Sequence, residues 1–364
     1  MPMKIRIVPF LSAVLLLSAA FCRADEAEDQ FNFATGLLIK NEHELAADEF
    51  RALLKKYPNF QSADVAWFRL GEALQKLKTL DEAKAAFLKV TTDYPKSEKG
   101  PQACYRLGEL ASEKDHKGAA TYFAAVAEKW PENALAEPAL YWSAEELFKA
   151  EDWENAAKAY AAVPAKFPAG KYAAPSLYSL GWSEFQRGRF EAAATSFKDF
   201  LAKFPAHELA PECRVKLGEA LTKLKKHDEA LAAYSQAKTA AGKIGQEAAI
   251  GAAWCLYEQG KFAEAATAFG QAAARIGKDP RAATCVFNAG NAHVENKDYP
   301  KAAVEFAKLP AEFPDHELAA DAAYWHGYCL VRMGKFDEAA VVLEKLKASG
   351  KAGKKEAEAL HSLA

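Results

Sequence analysis

Aromatic and acidic side chains recur along the sequence at intervals close to 37 residues, and together they could bind another chain. Tyr and Trp provide a large contact area at a small cost in side-chain entropy, and their polar atoms can hydrogen-bond. We expect the N-terminal half of such a binding surface to be more acidic and its C-terminal half more aromatic. The candidate peptide-binding residues are Phe68, Glu72, Tyr105, Glu109, Tyr141, Glu145, Tyr178, Trp182, Glu219, Trp254, Phe287, Asn291, Tyr324 and Tyr328.

Residues that could catalyse a reaction are few and scattered. The sequence contains no nucleophile elbow, no His-Glu-x-x-His metal motif, no phosphate-binding loop and no dinucleotide-binding glycine pattern. His293 and His326 could lie close to each other and to Cys285 or Cys329, but a buried histidine with a structural role is the expected reading of each. We therefore predict a protein that is not an enzyme and that needs no cofactor and no metal.

The cysteines do not form a metal-binding pattern. No Cys-x-x-Cys pair occurs, and no cysteine has a histidine at metal-ligand spacing. We expect five buried free thiols, because these residues fall in segments where small apolar side chains pack. A disulfide is permitted in an oxidising compartment, but the sequence does not pair the residues. The five are Cys104, Cys213, Cys255, Cys285 and Cys329.

Residues 1–24 are predicted to be a secretory signal peptide. Lys4 and Arg6 precede an uncharged, mostly apolar run from Ile7 to Phe21, and small residues suited to cleavage precede Asp25. This pattern predicts an exported protein of the periplasm.

Two other readings of this segment are less favoured. An uncleaved N-terminal anchor is one, but the apolar run is short for a membrane span and Pro9 interrupts it. An outer-membrane lipoprotein attached through Cys22 is the other, but Phe21 is a poor residue in front of a lipidated cysteine.

The charge balance argues against nucleic acid as a partner. Cleavage after residue 24 removes Lys4, Arg6 and Arg23, which leaves 44 basic against 49 acidic residues. No basic stripe is visible along the sequence, so the electrostatic footprint of a nucleic-acid-binding protein is missing. We expect contact with a membrane only indirectly, through partner proteins.

The strongest pattern is an alanine followed four residues later by a large apolar or aromatic residue. It occurs nine times in one frame, spaced by 35 to 37 residues, at Ala46/Phe50, Ala83/Phe87, Ala119/Phe123, Ala156/Tyr160, Ala193/Phe197, Ala230/Tyr234, Ala265/Phe269, Ala302/Phe306 and Ala339/Leu343. Glycine-containing turns such as Gly188-Arg189 stand before the alanine, and a proline often follows the large residue. A unit of two helices joined by a turn explains both features.

The predicted fold class is therefore all-α, a right-handed α-solenoid of about nine helix-turn-helix repeats with a period of about 37 residues. The solenoid should cover residues 25–350, with a possible flex point near residues 242–280. Residues 351–364 should form a charged C-terminal cap or tail, because Ala357, Leu360 and Leu363 stand at helical spacing.

One repeat carries a known motif almost completely. Trp67-x2-Leu70-Gly71-x2-Leu74, followed by Ala83, Phe87 and Pro95, resembles the tetratricopeptide repeat (TPR). With its signal peptide, the chain resembles exported bacterial TPR proteins of the cell envelope. Two such groups are the periplasmic TPR factor associated with the Tol–Pal system and the TPR lipoprotein of outer-membrane protein assembly. The resemblance implies a concave groove, lined by the first helices, that binds partner peptides or helices.

We therefore expect a protein-interaction scaffold that assembles or coordinates a complex of the cell envelope. Two alternatives remain open, a chaperone-like adaptor for unfolded exported proteins and a structural subunit of a secretion or assembly machine. The rings that recur from Phe68 onwards have two readings as well, because they could line the groove or pack inside the repeat.

Overall fold

The computed structural model describes residues 25–350, which form eighteen helices and no strand. The helices form nine consecutive pairs. The first helices of the pairs are α1 (25–39), α3 (Ala63–Lys76), α5 (Gly100–Ala111), α7 (Ala136–Lys149), α9 (Ala173–Gln186), α11 (Ala210–Lys223), α13 (Gly242–Glu258), α15 (Pro280–Glu295) and α17 (Leu318–Arg332). The second helices are α2 (His43–Lys56), α4 (Leu80–Asp93), α6 (His116–Lys129), α8 (Trp153–Lys166), α10 (Phe190–Lys203), α12 (His227–Ala237), α14 (Phe262–Ile276), α16 (Tyr299–Glu312) and α18 (Phe336–Ala348).

The chain divides into two compact units, unit 1 (Met1–Ser176) and unit 2 (Leu177–Ala364). Within each unit, every helix packs on the helix that follows it, from α2 to α8 in unit 1 and from α10 to α18 in unit 2. Each unit is therefore a stack of helical repeats, which confirms the predicted all-α solenoid class. The flex point near residues 242–280 stays a prediction, and the predicted signal peptide and C-terminal tail lie outside the described residues.

In eight of the nine repeats, the turn between the two helices contains a residue in the left-handed region. Gly188, Gly260 and Gly334 occupy it with φ of 72°, 72° and 74°, which confirms the predicted role of these glycines. In other repeats the same place holds a residue with a side chain, for which the left-handed region costs roughly 1–2 kcal/mol. These residues are Asn41, Lys78, Glu151, Lys225 and Lys297.

The large residue of the repeat pattern fills the space between the two helices. Phe87 is fully buried, and a Cβ added at Gly71 would lie only 2.6 Å from its ring. The small residue therefore lets the first helix approach the ring closely. The same approach recurs in Gly108/Phe123, Gly181/Phe197, Gly218/Tyr234, Gly290/Phe306 and Gly327/Leu343.

Two second helices contain an internal proline, a residue that usually kinks or shortens a helix. Neither is shortened, because α8 with Pro164 and α16 with Pro310 each keep 14 residues. Both prolines stand in the last turn with only two helical residues after them, so the hydrogen bond that each removes lies close to the helix end.

The junction between α12 and α13 in unit 2 is braced by an arginine. The guanidinium group of Arg275 donates hydrogen bonds to the backbone carbonyls of Lys238 and Ala240. A Cβ added at Gly245 would lie 2.0 Å from the carbonyl oxygen of Ala240, so this close approach requires glycine. Residues 242–280, where a flex point was predicted, thus contain specific contacts of their own.

Candidate protein-binding surface

The candidate residues occupy two places on the first helices. We number both from the small residue that faces the second helix, such as Gly71, which is position 8 of the repeat. Position 5 lies three residues before it, and position 9 directly after it. Since 3.6 residues make one helical turn, the two positions share one face of the helix.

The position-5 rings pack against the large ring of their own repeat. Phe68 is buried, with its ring centroid 5.5 Å from that of Phe87. The same pairing has centroid distances of 5.0 to 6.1 Å in Tyr105–Phe123, Tyr141–Tyr160, Tyr178–Phe197 and Phe287–Phe306. Tyr324 differs, because its ring lies 5.8 Å from Trp325 instead. These contacts favour the reading in which the recurring rings pack inside a repeat over the reading in which they line a groove.

Two position-5 hydroxyl groups have strongly perturbed acidity. Burial, with Glu145 nearby, raises the pKa of Tyr141 above its usual range. Burial and a hydrogen bond also raise the pKa of Tyr178, whose hydroxyl donates to Glu212 Oε1 at 2.9 Å. Both phenols therefore stay neutral at physiological pH and act as hydrogen-bond donors.

The position-9 carboxylates are mostly engaged within their own repeat. Glu109 forms an ion pair with Arg106 at 2.7 Å, and Glu145 accepts a hydrogen bond from the Tyr160 hydroxyl at 2.6 Å. In unit 2, Glu219 pairs with Lys216 at 3.1 Å. Glu72 is half-buried and has no ion pair with any described residue. Among the position-9 carboxylates of unit 1, only Glu109 is therefore paired with a cation of the described chain.

The position-9 rings of unit 2 are held in place but remain accessible. Trp254 is 38% exposed, and its ring is fixed by edge contacts with Phe269 at 5.2 Å and Tyr257 at 5.6 Å. A ring held this way loses little further freedom when a partner binds. An exposed tryptophan in a fixed orientation is a typical anchor of a protein interface.

The other two rings at position 9 have their own neighbours. Trp182 stacks on Phe185 at 5.3 Å, and the Lys216 ammonium lies 4.6 Å from its ring centroid. Tyr328 lies 5.2 Å from the ring of Trp325 and 6.4 Å from that of Tyr299. Asn291, in the repeat between Trp254 and Tyr328, is half-buried.

Sequence reasoning missed the residues that orient these rings. Phe185 and Tyr257 stand three residues after Trp182 and Trp254, so their i,i+3 spacing could have identified them. Trp325, three residues before Tyr328, fits the same rule. Lys216 could not be found this way, because it contacts Trp182 from the next first helix along the chain.

The histidines and cysteines considered for catalysis form no constellation. His293 and His326 make no hydrogen bond to each other or to Cys285 or Cys329, and burial lowers the pKa of both imidazoles. Among residues 25–350, no group of three His, Cys, Asp or Glu side chains could hold a metal ion.

The cysteines of the described chain are buried free thiols, as the sequence predicted. Burial raises their pKa, to about 11 for Cys104 and Cys285 and to about 12 for Cys213 and Cys329. Protonated, enclosed thiols are poor nucleophiles and poor metal ligands.

Comparison with known families decides the identity of the repeat. One model, described as a tetratricopeptide repeat, matches residues 178–243 and 250–317, and a second with the same description matches residues 65–97 and 321–349. Together the matched segments span more than half of the chain. The chain belongs to the tetratricopeptide-repeat family. TPR repeats generally serve as non-catalytic modules that bind other proteins. A search of curated proteins finds no match to this TPR chain.

Several solved TPR structures resemble this chain at low identity. YrrB, described as a TPR protein with an unusual peptide-binding site, is 23% identical over 56% of this chain and 98% of its own, with a TM-score of 0.43. The C-terminal part of a TPR protein from Cytophaga hutchinsonii is 14% identical over 80% and 98%, with a TM-score of 0.44. PilW, described as a type IV pilus biogenesis factor, is 16% identical over 60% and 96%, with a TM-score of 0.37. At these values the similarities carry no argument about function.

No helix within residues 25–350 is long and apolar enough to cross a bilayer.

Proposed function

We propose that this TPR protein is a non-catalytic scaffold of the cell envelope, exported to the periplasm, that binds partner peptides or helices on its first-helix face. It would assemble or coordinate an envelope complex. The observation that carries the proposal is Trp254, an accessible and fixed ring at a position where repeats of unit 1 place a carboxylate. Trp182 and Tyr328 extend this surface within unit 2.

The chemistry of the surface favours a segment with apolar or aromatic anchors. A tryptophan that is more than a third exposed gains contact area when covered, and burial of apolar surface contributes roughly 25 cal/mol per Å². The neighbouring polar atoms of Glu219 and Asn291 can hydrogen-bond to the backbone of a bound segment. Such a surface supports recognition and contains no group suited to covalent chemistry.

The test is co-purification of the protein from its native envelope, with bound proteins identified by mass. Wild type is compared with the variant Trp182→Ala/Trp254→Ala/Tyr328→Ala. We expect one or two partners to be lost from the variant, because large rings dominate the energy of protein interfaces. Retention of every partner would place the binding surface elsewhere.

A matched control removes apolar side chains away from position 9. Ile39→Ala/Leu77→Ala/Val304→Ala changes three residues that are 73%, 38% and 59% exposed, and it should keep all partners. If wild type instead carries many unrelated peptides, the chaperone-like adaptor becomes the better function. Export is tested separately by N-terminal sequencing, because cleavage predicts a mature protein that begins at Asp25, and a chain that still begins at Met1 would contradict it.

A further inference from the structure

The turns that join the first and second helices carry different charges in the two units. The residue that directly precedes each second helix is its N-cap. In unit 1 these residues are Glu42, Thr79, Asp115 and Asp152. In unit 2 they are Arg189, Lys226, Lys261, Asp298 and Lys335. Four of the five N-caps in unit 2 are therefore cations.

Local energetics do not explain these cations. An N-cap favours Asp, Asn, Ser or Thr, whose side chain accepts a hydrogen bond from a free backbone N–H. Asp115 and Asp152 do so, accepting from Gly118 N and Asn155 N, whereas Arg189, Lys226 and Lys261 make no capping bond. A positive charge also opposes the helix dipole at this end.

Two more cations of unit 2 stand where glycine would be less strained. Lys225 and Lys297 have φ of 58° and 59°, while the equivalent residues of the neighbouring repeats include Gly188 and Gly260 at 72°. The left-handed region is unfavourable for a residue with a Cβ. Every turn of unit 2 thus presents at least one basic side chain, twice at the expense of backbone strain.

Most of these cations are free to meet a partner. Five of them are exposed, and we call this set the basic turn edge. Its members are Arg189, Lys225, Lys226, Lys261 and Lys297. No member forms an ion pair with any residue of the described chain. Lys335 is excluded because it pairs with Glu338 at 2.9 Å, and Asp298 is already neutralised by Lys301 at 2.8 Å.

We propose that the basic turn edge binds an extended acidic segment of a partner protein. This proposal rests on the proposed scaffold function and names the chemistry of one partner. The turns with Lys226 and Lys261 follow α11 and α13, which contact each other, and packed helices lie roughly 8–10 Å apart. An extended chain rises about 3.3 Å per residue. A bound segment would therefore place an acidic side chain at about every third residue. Because each turn contributes only one or two of these cations, the set suits a single extended chain better than a flat membrane surface.

A search for a continuous basic run in the sequence misses this surface. Its members belong to successive repeats, and Arg189, Lys226, Lys261 and Lys297 are separated by 35 to 37 positions in the chain. Each turn contributes only one or two charges, so no basic run appears. Acidic residues such as Glu191, Asp228 and Glu264 follow in the first turn of the second helices, which hides these cations in the net charge.

The test uses the full mature chain and a synthetic peptide of about 15 residues with glutamate at every third position, separated by serine and threonine. The variant is Arg189→Ser/Lys225→Gly/Lys226→Ser/Lys261→Ser/Lys297→Gly. We expect its affinity, measured by fluorescence anisotropy at low salt, to fall at least about ten-fold, and the salt dependence of binding to weaken. Each replacement introduces a residue that the local backbone prefers, so the melting temperature should not fall.

The matched control carries Lys78→Gly/Lys114→Ser/Lys117→Ser, which removes two exposed turn cations of unit 1 and one exposed cation from the first turn of α6, and it should bind like wild type. A peptide with glutamine in place of glutamate should not bind. Equal affinity of wild type and the five-site variant would overturn the proposal. So would binding to phosphatidylglycerol vesicles without binding to the peptide.

Two results separate this proposal from the scaffold function. The variant Trp182→Ala/Trp254→Ala/Tyr328→Ala should still bind the acidic peptide, because it keeps every member of the basic turn edge. If the five-site variant retains all envelope partners while the aromatic variant loses them, the scaffold function stands and the acidic partner is rejected.

Discussion

Units 1 and 2 each have a core of the same kind, and they differ in the residues that surround it. Phe87 in unit 1 and Phe306 in unit 2 are both fully buried, and each lies against a glycine where an added Cβ would be 2.6 Å from the ring. At position 9, by contrast, unit 1 has only carboxylates among its candidates, while unit 2 includes Trp182, Trp254 and Tyr328. Packing between two helices leaves no freedom at the core, whereas the surface positions can change without loss of the fold. Differences between the units therefore point to function.

The polar residues inside the two units differ as well. Position 10, two residues after the small residue, holds Glu146 in unit 1, and this carboxylate is only 2% exposed. The equivalent residues in unit 2 are small or thiol-bearing, namely Ser183, Ala220, Cys255, Ala292 and Cys329. One repeat of unit 1 thus buries a carboxylate where each listed repeat of unit 2 has a small side chain.

The largest expected effect tests the shared core. Phe87→Ala and Phe306→Ala should each lower the free energy of unfolding by roughly 3–5 kcal/mol, because each leaves a cavity between two helices. Urea denaturation followed by circular dichroism measures both, with exposed Val304→Ala as the control. A small effect in one unit only would show that the cores are not equivalent.

Much of this core was predictable from sequence, and the surroundings were not. The Ala-x3-large frame fixes which residues face each other, since helical geometry within a repeat is the same every time. It also placed the position-5 rings on the correct helix. The frame says nothing about contacts between repeats, such as Lys216 on Trp182 or Arg275 on the carbonyl of Ala240. Contacts between repeats depend on the rotation of one repeat relative to the next, and the sequence pattern within a single repeat does not determine that rotation.

The buried carboxylate gives the second prediction, which concerns unit 1 alone. The carboxylate oxygens of Glu146 lie 2.7 Å from His116 Nδ1 and 2.7 Å from Lys149 Nζ. His116→Ala should cost about 1–3 kcal/mol, because it leaves a buried oxygen without its partner. Hydrogen exchange of amides in α6 and α7 measures the local loss.

The matched control for this prediction is Glu146→Ala, which introduces the residue found at Ala220 and Ala292. It should cost less than His116→Ala, because the buried charge leaves together with its hydrogen bonds and only a small cavity remains. A double variant no less stable than Glu146→Ala would confirm that His116 acts through this carboxylate. Equal destabilisation by both single changes would contradict the comparison.

The thiols give the third prediction, a difference in alkaline sensitivity. Folding raises the pKa of Cys213 and Cys329 from 9.0 to about 12 in unit 2. Above pH 9 the unfolded chain releases these protons before the folded chain does, so stability falls as pH rises towards the folded values. Below pH 9 both states keep the protons and the thiols contribute no pH dependence.

Unit 2 should be the more sensitive unit, because four of the five described thiols lie in it. We expect Cys213→Ala/Cys285→Ala/Cys329→Ala to lose less stability than wild type between about pH 8 and about pH 10.5, measured as the shift in the urea midpoint. Cys104→Ala in unit 1 is the control and should change this shift less. An identical shift in all three proteins would mean that the thiols are not what titrates.

The smallest expected effect addresses the turns. Lys225→Gly in unit 2 and Glu151→Gly in unit 1 each remove a side chain from a left-handed residue, with φ of 58° and 57°. Both should raise stability by about 0.5–1 kcal/mol, because relief of the Cβ contact exceeds the entropy cost of glycine. Thermal unfolding measures both. Only Lys225→Gly should also weaken binding of the acidic peptide, and that combination would mean that unit 2 keeps the lysine for its charge and not for its contribution to the fold. If Lys225→Gly lowers stability, the strain is absent and the lysine needs no functional explanation.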